Sequence, residues 1–241
     1  MYTKPSSLFG TQNAKTIKGE ALGFTTYIIY LSPHKANSLG KNLCAGASKG
    51  CIASCLYTAG LGGIYESIPK ARRNKTEYFL HNKEGFMAQA YKEIAKGYAK
   101  HGDGMAVRMN GTSDIPWENM MHEGKNLMEH FPHIQFYDYT KVFSRLLKEL
   151  PDNYHLTFSV SEDALNQINS ITALEMGFNV AMVFDTKRKK ALPETYKGYS
   201  VVDGDEHDLT FLREKGTIIG LRAKGKAIGD ESGFVFKAEQ K

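Results

Sequence analysis

From Met105 onward the chain alternates short apolar runs with helix-patterned segments, and this alternation constrains the fold more than any other feature. Strands are expected at Met105–Asn110, Ile134–Tyr139, Tyr154–Val160, Val180–Phe184, Tyr199–Val202 and Thr217–Ala223. Helical spacing is expected within Ile115–Phe131 and over Val142–Leu150 and Asp163–Met176. Asp114 is placed as an N-cap and Pro116 at a first helical position. Before them, Phe24–Leu31 reads as a first strand stopped by Pro33. Two helices follow at Ile68–Leu80 and Lys83–Lys100, with Phe86, Ala90, Ile94 and Tyr98 on one face. Parallel strands need crossover connections, and strand–helix alternation supplies them. The fold expected is therefore α/β, a TIM-like (β/α) barrel, closed or partial, over residues 1–241 as a single domain. An irregular lead-in covers about residues 1–23, and a short tail closes the chain. A doubly wound open sheet is the alternative.

The strands share a second property: their C-terminal ends are polar. They run Arg108-Met-Asn110-Gly-Thr-Ser113-Asp114, Tyr137-Asp138-Tyr139-Thr-Lys141, Ser159-Val-Ser161-Glu162, Asp185, Asp203-Gly-Asp205 and Arg222-Ala-Lys224. In parallel α/β folds these ends surround the functional site. Alternation within the strands sets Arg108 and Asn110 opposite Val107 and Met109, and Thr157 and Ser159 opposite Leu156 and Phe158. The expected ligand-binding set is Arg108, Asn110, Ser113, Asp114, Tyr139, Lys141, Ser159 and Glu162. No catalytic residue is singled out. The plainer readings stand beside this one: alternation also marks a half-solvated antiparallel sheet, Asp114 serves equally as a helix cap, and Lys141 serves equally as a surface lysine.

All three cysteines lie within twelve residues, Cys44-Ala-Gly-Ala-Ser-Lys-Gly-Cys51-Ile-Ala-Ser-Cys55, in the loop after the first strand. Three thiolates on one short, glycine-containing loop suit a soft metal or an iron–sulfur cluster. Three readings are open. The cysteines are small buried hydrophobes; or they bind zinc with His34 as the nearest fourth ligand; or they hold a [4Fe-4S] cluster that leaves one iron open. The clustering argues against a secreted disulfide framework, which spreads even numbers of cysteines along the chain. No apolar run approaches the roughly 20 residues that span a bilayer, and the first residues lack a secretory pattern. A cytoplasmic protein is expected, with no membrane partner. The net charge of +5 owes part of its excess to Lys187-Arg-Lys-Lys190. Such a run is ordinarily a solvated loop, and the alternative is a phosphate-contacting patch.

Several stretches taken together resemble a family of tailed-phage proteins, gene product 88. They are Leu31-Ser-Pro-His-Lys35, the cysteine loop with Cys55-Leu-Tyr-Thr-Ala-Gly60, and Val107-Arg-Met-Asn-Gly-Thr-Ser-Asp114. Phe136-Tyr-Asp-Tyr-Thr-Lys141, Asn153-Tyr-His-Leu-Thr-Phe-Ser159 and Gly220-Leu-Arg-Ala-Lys-Gly225 complete the set. The resemblance implies phage origin and the host cytoplasm, and carries no activity. A looser similarity is to radical S-adenosylmethionine enzymes, which place three cysteines after the first strand of a partial barrel. Here the gaps are six and three residues where that family has three and two, and Ser54 stands where an aromatic is common. The expectation is an iron–sulfur protein with Cys44, Cys51 and Cys55 on a [4Fe-4S] cluster. S-adenosylmethionine is its implied second cofactor and a small molecule its substrate. The alternative is a non-catalytic protein, stabilised by zinc or an iron–sulfur cluster, that binds a host component or nucleic acid.

Overall fold

The computed structural model describes residues 2–12, 16–55, 57 and 60–238. In chain order the regular elements are β1 (Phe9–Gly10), α1 (Thr16–Glu20), β2 (Thr25–Ile29), α2 (Lys49–Ala53), α3 (Ser67–His81), α4 (Lys83–His101), β3 (Met105–Arg108), α5 (Leu127–His130), β4 (Gln135–Thr140), β5 (Tyr154–Ser159), α6 (Ala164–Glu175), β6 (Val180–Phe184), β7 (Thr195–Tyr196), β8 (Tyr199–Asp203) and β9 (Ile218–Arg222). The glycine-rich turn expected at residues 56–63 lies partly outside the described residues, at Leu56, Thr58 and Ala59.

Among the described residues nine strands form one mixed sheet in the order β1-β2-β3-β4-β5-β6-β9-β8-β7. The pairings of β2 with β3, β3 with β4, β5 with β6, β6 with β9 and β9 with β8 are all parallel. This confirms the α/β class and corrects the closed barrel. Closure requires that the outermost parallel strands pair with each other. Here the outer edge of β2 is taken by antiparallel β1, with Phe9 opposite Ile29. The outer edge of β8 is taken by antiparallel β7, with Thr195 opposite Ser200. The sheet is open, and from β1 to β6 its spatial order follows the chain.

By packing, the chain divides into two units, one of residues Met1–Ala45, Ile64–Asp138 and Glu149–His155, the other of Gly46–Gly63, Tyr139–Lys148 and Leu156–Lys241. In the first, α4 buries Phe86, Ala90, Ile94 and Gly97, an apolar stripe at helical spacing. Asn82 starts the helix by accepting the Gly85 N–H at 2.9 Å. A Cβ at Gly97 would lie 2.7 Å from Met105 Cε and 2.9 Å from Tyr27 Cζ. A side chain at position 97 would have to displace the Met105 and Tyr27 side chains between α4 and the sheet. Trp117, fully buried, stacks on Phe86 at 6.1 Å and packs on Phe79 at 5.3 Å. The lead-in is ordered by Glu93, whose carboxylate accepts the N–H groups of Leu8 and Phe9.

The helix expected within 115–131 is the single turn of α5, preceded by a 3-10 turn at Trp117–Asn119. Between them His122 and Lys125 pair across a tight turn in which Glu123 and Gly124 take positive φ. Asn126 and Glu129 then form a capping box for α5. In the second unit the helix expected at 142–150 is likewise only a 3-10 turn, Phe143–Arg145. Its core gathers Phe158, Leu174, Val180, Met182, Phe184 and Ile218, all nearly inaccessible.

Candidate functional site

The eight polar strand-end residues divide between the units, four in each. In the first unit Asn110, only 2 % exposed, is the hub of a closed network. Its Oδ1 accepts from Ser113 Oγ at 2.9 Å, the Ile115 N–H at 2.9 Å and Trp117 Nε1 at 3.0 Å. Its Nδ2 donates to the Ile115 carbonyl and to Asp138 Oδ2. Asp138, fully buried, also accepts the Asn110 N–H at 2.7 Å and the Tyr154 hydroxyl at 2.9 Å. Each hydrogen-bonding group of the Asn110 side chain is thus spent within the protein. Asp114 donates its N–H to the Leu43 carbonyl and forms a short parallel bridge with Cys44. Arg108 is half-buried on β3 opposite Ile28.

In the second unit Lys141 donates to Ser159 Oγ at 2.7 Å, the Ser159 carbonyl at 3.2 Å and the Val160 carbonyl at 3.0 Å. Those are all three donors that an ammonium has. Glu162 accepts Ser48 Oγ and the Gly50 N–H, each at 2.7 Å, so its carboxylate closes the N-terminal end of α2. Ser48 Oγ in turn accepts the Cys51 N–H. A Cβ on Gly46 would stand 2.7 Å from Lys141 Cβ. Asp230 fastens the other end of α2 by accepting from Ser54 Oγ at 3.3 Å. Burial pushes the Asp230 carboxyl up. Hydrogen bonds from Ser232, the Val235 N–H and Ser54 outweigh that and hold it below the ordinary range. Glu162 and Asp230 thus hold the loop from Gly46 to Cys55 by hydrogen bonds, and Lys141 packs against it at Gly46. Tyr139 reaches Asp208 at 3.4 Å.

The cysteines do not assemble a metal centre. Among the described residues no group of three or more His, Cys, Asp or Glu side chains is placed to hold a metal ion. Cys44 belongs to the first unit, Cys51 and Cys55 to the second. Cys44 Sγ accepts the His34 N–H at 3.3 Å and faces the Thr112 carbonyl at 3.7 Å. Cys51 lies within α2, and Cys55 just beyond it, its N–H on the Ile52 carbonyl. The donor set does not fit a [4Fe-4S] cluster or zinc, and both expectations are corrected. The iron–sulfur enzyme reading falls with them, and so does S-adenosylmethionine, which that reading would have bound at the open iron.

A further polar assembly lies at the ends of β6, β8 and β9, in the second unit. Arg222 Nη1 donates to both oxygens of Asp203 at 2.9 and 2.8 Å and to Asp205 Oδ2 at 3.2 Å. Its Nε and Nη2 donate to the Lys190 carbonyl at 3.0 and 2.9 Å. Lys224 pairs with Asp205 at 2.5 Å. Burial alone would lower the Arg222 pKa; the bonds to Asp203 and Asp205 raise it beyond its ordinary value. Lys187, Arg188, Lys189 and Lys190 are all exposed. They form a turn closed by the Lys190 N–H on the Lys187 carbonyl at 2.9 Å. Thr186 is buried on one side of this turn. On the other, Leu192 Cδ1 lies 3.0 Å from where a Gly220 Cβ would be. The ligand-binding set expected from the sequence omits this brace, although the polar ends at Asp203, Asp205 and Arg222 are visible there. The signal that points to it is position: the basic run directly follows a parallel strand.

Among the described residues no helix is long and apolar enough to cross a membrane. The sequence model of the family described as gene product 88 matches residues 7–238. No curated protein and no solved structure matches the chain.

Proposed function

The chain belongs to the gene product 88 family, and we propose that it is a binding protein whose partner is nucleic acid, engaged through phosphates at residues 187–190. One observation carries the reading: four consecutive exposed cations sit on a turn that the fold holds still. Crowding like charges onto a braced turn opposes folding, because they repel each other. A polyanion reverses that penalty, since each phosphate neutralised releases a counterion. Arg222 and Lys224, already matched to Asp203 and Asp205, leave the four turn cations unopposed by those carboxylates. Phosphates carry little sequence information, so binding is expected to be tolerant of sequence.

The test is fluorescence anisotropy of labelled DNA and RNA, single-stranded and duplex, between about 50 and 200 mM salt. Log affinity should fall linearly with log salt. Replacing Lys187, Arg188, Lys189 and Lys190 together by alanine should make the slope shallower by roughly 0.7–0.9 for each phosphate no longer neutralised. Binding that is indifferent to the fourfold replacement would sink the proposal.

A second reading keeps the strand-end set of the second unit, Tyr139, Lys141, Ser159 and Glu162, as a small-molecule site. It is favoured by the half-buried hydrogen bond between the Lys141 ammonium and Ser159 Oγ, three positions before Glu162 in the chain. A ligand there competes with Ser48 Oγ and the Gly50 N–H for the Glu162 carboxylate.

A further inference from the structure

We infer that Arg222 is a positioning residue for the basic turn: its guanidinium, fixed by Asp203 and Asp205, holds the Lys190 carbonyl so that the four cations are presented in one arrangement. This inference rests on the nucleic-acid reading above. A planar guanidinium carries five donors in a rigid fork, which can satisfy two carboxylates and a carbonyl at once. Here it does so: Nη1 takes the carboxylates, and Nε and Nη2 converge on Lys190. The Arg222 side chain is 11 % exposed and its Nε, Nη1 and Nη2 are already engaged within the protein, so it supports the turn and leaves phosphate contact to the four cations. Asp203 is held in turn, its Oδ1 accepting the Asp205 N–H at 2.8 Å. A turn ordered before it binds does not lose that freedom on binding, and affinity rises accordingly.

The brace makes a prediction opposite in sign to that of charge alone. Asp203→Asn removes one negative charge near the turn. If attraction between net charges governs binding, this variant binds nucleic acid more tightly than the wild type. If the brace governs it, the variant binds more weakly, by about tenfold, with a shallower salt slope because fewer phosphates are met at once. Arg222→Lys keeps the charge but cannot reproduce the fork, and should weaken binding in the same way.

Both variants are measured with the fourfold alanine protein, on one labelled duplex and one labelled single strand, with thermal melts to confirm folding. Weaker binding and a shallower slope in the folded variants support the inference. A fourfold alanine protein that binds like the wild type overturns the nucleic-acid reading and this inference with it. A weakened fourfold protein beside a tighter-binding Asp203→Asn protein overturns the brace alone. Amide exchange adds a second readout: the Lys190 N–H, bonded to the Lys187 carbonyl, should exchange faster in Arg222→Lys than in the wild type, and equal rates would overturn the brace.

Discussion

At the scale of single residues, the polar positions divide by whether their hydrogen-bonding capacity is already used. Asn110 shows the used case. Removing a buried acceptor that serves three donors leaves those donors without partners and costs more than the bonds themselves contribute. Asn110→Ala should therefore lower stability by about 3 kcal/mol in urea unfolding, while Ser113→Ala, which removes one donor of three, should cost about 1 kcal/mol. The sequence displays Asn110, Ser113 and Asp114 as a polar cluster after a strand, and that much is legible. It displays Asp138, 28 positions further on, only as part of another strand end, and not as the residue that completes the network by taking the Asn110 N–H. A polar residue at a strand end looks the same in sequence whether a ligand or the protein itself satisfies it.

At the scale of elements, strands are the legible part and short helices the illegible part. β5, β6 and β9 lie where the alternating or apolar runs place them, because side-chain period and burial agree there. Within 115–131 the positive-φ turn at Glu123 and Gly124 confines the helix to the single turn of α5, and over 142–150 only the 3-10 turn Phe143–Arg145 forms. In the cysteine loop the sulfur dominates the sequence, but the form is decided by the carboxylates at the two ends. A helix as short as α2 is marginal alone, so Glu162 and Asp230 are what keep it in place. The Asp230 carboxyl titrates lower when folded than when unfolded. Its stabilising effect is therefore complete above the ordinary carboxylate range and disappears as pH falls through and below it. In thermal melts over a pH series, the wild type should exceed Asp230→Asn at neutral pH, and the gap should close on acidification. A gap that stays constant or widens toward acid pH would show that Asp230 does not fasten the loop in its ionised form.

At the scale of the molecule, the sheet determines which surfaces exist. Its class is legible from strand–helix alternation; its openness is not, because the two antiparallel strands that occupy its edges are only two residues long each and carry almost no pattern. The order of the sheet has a further consequence, for synthesis. From β1 to β6 each new strand finds its neighbour already made. The β7–β8 hairpin does not, for its place beside β6 is filled by β9, which is made last. A chain ending at Lys215 should keep β6 but leave β7 and β8 unattached, with rapid protease cleavage between Lys187 and Asp203; resistance there would mean the hairpin docks without β9. Lys190 likewise waits for Arg222. On the ribosome, where domains form from the N-terminus as the chain emerges, the basic turn therefore exists as sequence well before it exists as a surface. On the proposed function, the newly made chain would bind nucleic acid more weakly until β9 is made.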